Sequence, residues 1–157
     1  MPAIRPARAG EAEALTALCV RSKAHWGYDA AFMRLCLPAL TVDEADIAAG
    51  RVLVAAEGDG PPLALVEVLG EGSTVALEEM FVDPPAMGRG LGRRLFEAAT
   101  GLARKLGATR MTILADPHAA PFYEHMGARF LRNAPSDAIP GRSLPFYEYD
   151  LIPGARS

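Results

Sequence analysis

Little in this chain of 157 residues invites a metal, a membrane or an oxidised scaffold. Its two cysteines, Cys19 and Cys36, have no CxxC spacing and no companion histidine cluster, so neither a disulfide framework nor a metal site is expected. Cys19 falls on an apolar face with Leu15 and Leu18 and reads as core. Half of the residues are hydrophobic, yet no run approaches the eighteen or so apolar residues of a membrane span. The opening MPAIRPARAGEAEAL lacks the long apolar segment of a signal peptide, so a reduced, cytoplasmic setting is the expectation. A basic excess is missing too. The net charge of −3 argues against a general nucleic-acid binder. Repeats, low-complexity tracts and linkers are absent, and the length suits one domain, residues 1–157, with a sizeable core.

What is present is concentrated in Leu77 to Phe96, LEEMFVDPPAMGRGLGRRLF. A strand-like run ends at Asp83-Pro84-Pro85, and Gly88-Arg89-Gly90-Leu91-Gly92 then opens into a helical pattern. Glycines there let the backbone turn tightly and approach a ligand without interference from a Cβ. The first amides of a helix lack intrahelical partners and lie at its positive end, so the segment reads as a phosphate cradle. Arg89 and Arg93 flank it and suit an anionic ligand, whereas Arg104 and Lys105 read as a solvated helix end. Two common phosphate loops do not fit. GxxxxGK[ST] lacks its Lys-Ser or Lys-Thr, and the dinucleotide fingerprint needs a glycine where Arg93 stands.

Val82, Asp83, Pro84, Gly88, Gly90, Leu91 and Gly92 resemble the V-x-P-x-x-[R/Q]-G-x-G-x-G signature of the Gcn5-related N-acetyltransferases (GNAT), with Met87 where Arg or Gln is usual. Downstream, the stretch from Ala115 to Ala128, ADPHAAPFYEHMGA, resembles the same family's N-x-x-x-F-Y-x-x-x-G segment, with His118 in place of Asn. Together the two motifs cover about the second half of the chain. The resemblance implies an α/β fold with a mixed, mostly antiparallel sheet, helices on both faces and splayed central strands. It also implies acetyl-CoA as cosubstrate and no metal. The pantetheine arm would lie along the backbone of Met80, Phe81 and Val82. The pyrophosphate would lie in the segment from Met87 through Gly88, Arg89, Gly90, Leu91 and Gly92 to Arg93.

Periodicity gives a compatible order of elements. A short strand at Ala3-Ile4-Arg5-Pro6 precedes an amphipathic helix from Gly10 to His25, then a second helix to roughly Leu37, before Pro38. Val42 to Ala45 reads as a turn or strand with acidic capping. Three strands, Arg51 to Ala56, Leu63 to Leu69 and Val75 to Val82, are separated by turn signals and form an antiparallel meander. A long helix from Gly90 to Leu106 crosses to a parallel strand, Arg110 to Ala115. A short helix follows, with Pro121 in its first turn and Gly127 at its end. Strands near Ala128 to Arg132 and Leu144 to Leu151 enclose a loop, Pro135 to Arg142, expected to be mobile.

Acetyl transfer to an amine needs a base and an acid. A lysine-like amine has a pKa of about 10.4 and must lose a proton before it attacks. By resemblance, Tyr123 protonates the departing thiolate and the base lies on the strand before the loop. Strict alternation places Glu78 on one face with Ala76, Met80 and Val82, and Glu79 on the other with Leu77 and Phe81. Glu78 is the first candidate and Glu79 the second. His25, Trp26 and Tyr28 are candidates for the acceptor site, which the family places between the first helical hairpin and the last two strands. The final strand, with Phe146, Tyr147 and Tyr149, lines either that pocket or a homodimer interface. The expected partner is a small-molecule or peptide amine. The rival reading is a non-catalytic acyl-CoA-binding sensor, which would need neither Tyr123 nor a base.

Overall fold

Seven strands follow the apolar runs: β1 (Ala3–Pro6), β2 (Val52–Ala56), β3 (Ala64–Leu69), β4 (Thr74–Val82), β5 (Arg110–Leu114), β6 (Arg129–Pro135) and β7 (Ser143–Asp150). In the computed structural model, which describes residues 1–152, they form one sheet ordered β1-β2-β3-β4-β5-β7-β6. The last five residues of the expected domain, 153–157, lie outside the described residues. Every neighbouring pair is antiparallel except β4–β5. The exception follows from α4 (Leu91–Lys105), since a crossover helix returns the chain to the same end of the sheet and delivers a parallel strand. The expected mixed, mostly antiparallel α/β architecture is the one the chain adopts.

Helices cover both faces. On one, Leu15, Leu18 and Cys19 of α1 (Ala12–Ala24), Cys36 and Leu40 of α2 (Ala30–Leu40) and Ile47 of α3 (Glu44–Ala48) pack onto Val52, Val54 and Leu65. On the other, Leu91, Leu95 and Ala99 of α4 meet Val66, Val68 and Leu77, beside α5 (Ala120–His125). Each large side chain buried this way contributes about 1.5–3 kcal/mol. That stripe outweighs the cost of about 1 kcal/mol each for Gly92 and Gly101 inside α4. Asp29 caps α2 by accepting the Phe32 amide at 2.8 Å, and Asp43 caps α3 by accepting the Ala45 amide at 2.8 Å. The acidic turn read at Val42 to Ala45 is therefore the start of a helix. α2 also runs through Pro38 rather than stopping before it. Pro38 sits in the last turn, where its missing N–H removes a single bond, and Thr41 Oγ1 donates to the Leu37 carbonyl at 2.8 Å. Among the described residues no helix is long and apolar enough to cross a membrane.

Two departures from regularity position the site. β4 and β5 pair only at Thr74–Arg110, Val75–Met111 and Ala76–Thr112. Further along, β4 stays bonded to β3 and β5 to β7, so the two central strands part and, among the described residues, the edges facing the gap have no strand to pair with. The second departure lies within β4. Glu67 pairs with Glu79 and Val68 with Leu77, which leaves Glu78 as the extra residue of a β-bulge. The bulge overturns the alternation expected from sequence. Leu77, Met80 and Val82 all pack in the core beneath α4, while Phe81 belongs to the α1–α2 side, and Glu79, two residues away, goes with it. One inserted residue reverses the parity of everything on one side of it.

The loop between β6 and β7 is tied down rather than open. The Ser136 amide donates to the Arg142 carbonyl at 2.8 Å, the Ser136 hydroxyl accepts the amides of Ala138 and Ile139, and both of those side chains rest on the α1–α2 core.

Candidate active site

The parting of β4 and β5 opens a cavity of about 440 Å³. Glu78, Glu79, Met80 and Phe81 line it from β4, Thr112 to Asp116 from β5 and its continuation, and Tyr123 from α5. The three residues expected to carry the chemistry thus share one chamber with two of the three expected to hold the pantetheine arm. Val82 leads out of it through a 3-10 turn, Pro84–Ala86, to the glycine segment.

Gly88 and Gly90 have φ of +81° and +77°, a region that costs other residues about 1–2 kcal/mol. A Cβ built on either would meet no protein atom within 4 Å, so both face open space. Among the described residues, the amides from Gly88 to Arg93 find no backbone acceptor, and they sit at the positive end of α4. An open, amide-lined hollow at a helix N-terminus fits a pyrophosphate. Two members of the expected set act differently. The Met87 amide is already taken by the Pro84 carbonyl at 3.2 Å. At Gly92 a Cβ would come within 3.3 Å of the Phe122 ring, so this glycine also allows α5 to approach α4. Arg89 reaches across to Glu57 at 2.7 Å, and Arg93 to His125 at 3.4 Å. Exposed pairs of this kind are worth about 1 kcal/mol or less, so both guanidinium groups can exchange partners for a phosphate.

Electrostatics separate the two glutamates of β4. Burial, with Glu67 and Glu78 nearby, pushes Glu79 up to about 9, and the residue is only 7% exposed. Its cross-strand partner Glu67 is pushed up to about 7 by burial and by Asp46. Glu78 stands in the cavity, open to solvent but enclosed by protein, and partial burial with Asp137 and Asp46 raises it more modestly. At neutral pH Glu79 therefore keeps its proton. In the unfolded chain it ionises near 4.5. Between these two values the folded state holds a proton that the unfolded state has lost, so stability falls as pH rises through the window. Glu79→Gln removes that dependence. The variant is expected to melt about 4–8 °C above the wild type at pH 8.5, for roughly 2 kcal/mol, and no higher near pH 4.5. Thermal denaturation at the two pH values checks this, and a constant difference would mean that the linkage is not Glu79's.

Tyr123 is buried, and among the described residues its hydroxyl has no hydrogen-bond partner; it is left to the cavity. Burial, with Glu79 and Asp116, raises the phenol above its usual range, so it remains protonated.

At the other wall a network joins three distant segments. Asp116 accepts Lys23 Nζ at 3.0 Å, Tyr28 Oη at 2.8 Å and the His118 amide at 2.8 Å. Arg142 Nη2 donates to the Tyr28 hydroxyl at 3.0 Å. Burial alone would raise Asp116, but the His118 amide and Lys23 hold it well below the usual carboxylate range. Of the three residues expected at the acceptor site, Tyr28 belongs to this network. Trp26 is 47% exposed and stacks on His118 at 4.8 Å, with His25 edge-on to it; none of the three lines the cavity itself. Lys23, Asp116 and Arg142, which do line it, were not singled out from sequence. The one available signal was Asp116-Pro117-His118 at the end of a buried strand, where loops carry function.

Residues 32–135, more than half of the chain, match the model of the acetyltransferase (GNAT) domain. No curated protein matches the sequence. Similar solved structures include a GCN5-related N-acetyltransferase from Rhodopseudomonas palustris, 24% identical over 96% of each chain with a TM-score of 0.75. Another is the PaiA N-acetyltransferase from Thermoplasma acidophilum in complex with coenzyme A, 13% identical over 96% of this chain and 99% of that one, TM-score 0.77. A third is YncA from Salmonella typhimurium with acetyl-CoA, 22% identical over 100% of this chain and 98% of that one, TM-score 0.69. At these identities the likeness is one of fold.

Proposed function

Since the chain belongs to the GNAT acetyltransferase family, we propose that it is an acetyl-CoA-dependent N-acetyltransferase of the cytoplasm. In this reading it moves the acetyl group directly to a primary amine of a small molecule or peptide within a ternary complex. The observation that carries it is the shared chamber: Glu78 and a Tyr123 hydroxyl without a partner among the described residues line one cavity, and the strand that forms its wall runs out to an open, amide-lined hollow. Two of the similar folds hold coenzyme A or acetyl-CoA, which supports the same ligand here.

Acetyl-CoA supplies an activated acyl group. The protein's part begins with the edge of β4 that faces the gap at Met80, Phe81 and Val82, which takes the amides of the pantetheine arm, and the hollow from Gly88 to Arg93, which takes the pyrophosphate. Glu78, directly or through a water, accepts the proton of the amine as its nitrogen bonds to the acyl carbon. Tyr123 gives its proton to the sulfur as the carbon–sulfur bond breaks. A phenol raised above its usual range can still do this, because the burial that raises it also raises a thiol, as at Cys19. Glu79 lines the same cavity as a proton-bearing carboxyl and is second choice as base, since a group near 9 already carries its proton at neutral pH and a neutral carboxyl is too weak a base to take another.

Glu78→Gln is expected to abolish the acidic limb of the kcat/KM profile, whose midpoint lies above 4.5 because the carboxyl is raised. The loss at pH 7.5 is about tenfold, below the usual range for a positioned base because a water can stand in. Glu79→Gln should leave that limb in place. An unchanged limb in Glu78→Gln would assign the base elsewhere. The function as a whole is tested by following free thiol release from acetyl-CoA against a panel of amines. Tight acetyl-CoA binding with no release from any of them would favour an acyl-CoA sensor.

A further inference from the structure

The part of the cavity wall around Asp116 carries more positive charge than its own partners need. Lys23 and Arg142 face it with side chains 13% and 20% exposed, and a single carboxylate, Asp116, lies between them. Asp116 is saturated by Lys23, Tyr28 and His118. The nearest approach of Arg142 to it is 3.9 Å, beyond hydrogen-bond distance. Arg142 spends one donor on the Tyr28 hydroxyl, and among the described residues its other guanidinium donors have no acceptor. Both cations are held in place. Arg142 lies over Tyr28 and Phe32 at 5.3 and 4.9 Å, and Lys23 over the same rings at 5.2 and 5.8 Å. A guanidinium fixed on aromatic faces, with donors to spare in a partly enclosed cavity, is suited to a carboxylate.

The same cavity also carries the opposite sign. Glu78 and Asp137 are close enough for Asp137 to act on Glu78, and both line the same cavity. Asp137 and Arg142 belong to one tied loop, so the two poles are fixed relative to each other. We propose that the acceptor is a small zwitterion, an amine that carries a carboxylate nearby in the manner of an amino acid, with the carboxylate held by Lys23 and Arg142 and the amine turned toward Glu78 and Asp137. This rests on the N-acetyltransferase reading above and names the substrate class for the same site.

The test uses the full chain with acetyl-CoA and matched acceptors: leucine, phenylalanine and methionine, each with its methyl ester and its decarboxylated amine. The acids are expected to exceed their esters and amines in kcat/KM by about 10–100-fold, the worth of one charge-assisted hydrogen bond. The esters have the less basic nitrogen, so amine chemistry alone would favour them, and a preference for the acids reports the anion site. Arg142→Gln should narrow the acid-to-ester ratio to near one, mainly through KM of the acids. Lys23→Met is the second variant should Arg142→Gln bind acetyl-CoA poorly in calorimetry. Esters or bare amines turned over as well as the acids by the wild type, or a ratio unchanged in both variants, would overturn the proposal. If no acceptor releases thiol, the N-acetyltransferase reading fails on its own account. The anion site is then decided by thermal shift in the presence of coenzyme A: a larger shift from the amino acid than from its ester supports the site, and equal shifts remove it.

Discussion

Tyr123→Phe is expected to lower kcat by about 10²–10⁴-fold while acetyl-CoA affinity stays nearly unchanged. The substitution keeps the ring, which packs among Phe96, Phe122 and the α4 core. It removes only a hydroxyl that no described protein group engages, so no partner is left unsatisfied and the fold should lose little or nothing. This separates the two roles open to a buried tyrosine. A packing role predicts an unaltered rate, since the aromatic contacts survive. A proton-donating role predicts a slow enzyme with a normal melting temperature. The loss should also be smaller for an acyl donor whose leaving thiol is more acidic, because that thiolate needs less help to depart. Steady-state kinetics with acetyl-CoA and a donor bearing an activated thiol measure both effects. Wild-type turnover in the variant would return Tyr123 to the core.

The parts of this site that the sequence disclosed are contiguous in it. Gly88, Gly90 and Gly92 lie within five residues; the first two take a positive φ in open surroundings, as only glycine does readily, and the third lets α5 approach α4. Phe122, Tyr123 and Gly127 are likewise local. The parallel β4–β5 pair was legible for a similar reason, since a long amphipathic helix between two strands leaves little choice. Two things were hidden. The β-bulge at Glu78 depends on how β3 and β4 align, and nothing in LEEMFV marks which residue is extra. Strict alternation therefore assigned Leu77 and Glu79 to one face, when the bulge puts them on opposite sides. The Asp116 network was hidden by distance: Lys23 lies 93 residues from Asp116, Tyr28 lies 88 from it, and Arg142 lies 114 from Tyr28. Such a cluster exists only once the first helical hairpin and the last two strands meet over the end of β5. The aromatic run His25-Trp26-Gly27-Tyr28 was conspicuous in sequence, but folding turns its tryptophan outward and recruits the inconspicuous Lys23 instead.

Gly90→Glu is expected to weaken acetyl-CoA binding by about 10³-fold. Two effects contribute, and their sizes differ. Any side chain at φ +77° brings backbone strain of about 1–2 kcal/mol, which appears as lost stability and not as lost affinity unless the loop shifts. The carboxylate adds repulsion toward the pyrophosphate. Two unit charges about 4 Å apart interact by about 4 kcal/mol at the effective dielectric of a protein surface, and 1.4 kcal/mol is a factor of ten. Charge therefore dominates. Gly90→Ala separates the terms, because it has the same strained backbone and a Cβ that meets no protein atom, but no charge. It should melt a few degrees lower, as the glutamate variant does, yet bind acetyl-CoA within about tenfold of the wild type. Raising the salt concentration should recover part of the affinity of Gly90→Glu and little of that of Gly90→Ala, since only the first loss is screened. Calorimetric titration of the three proteins at low and high salt decides the matter. Equal affinities across the series, in variants that remain folded, would place the pyrophosphate away from the N-terminus of α4 and leave Gly88 and Gly90 as residues of a turn.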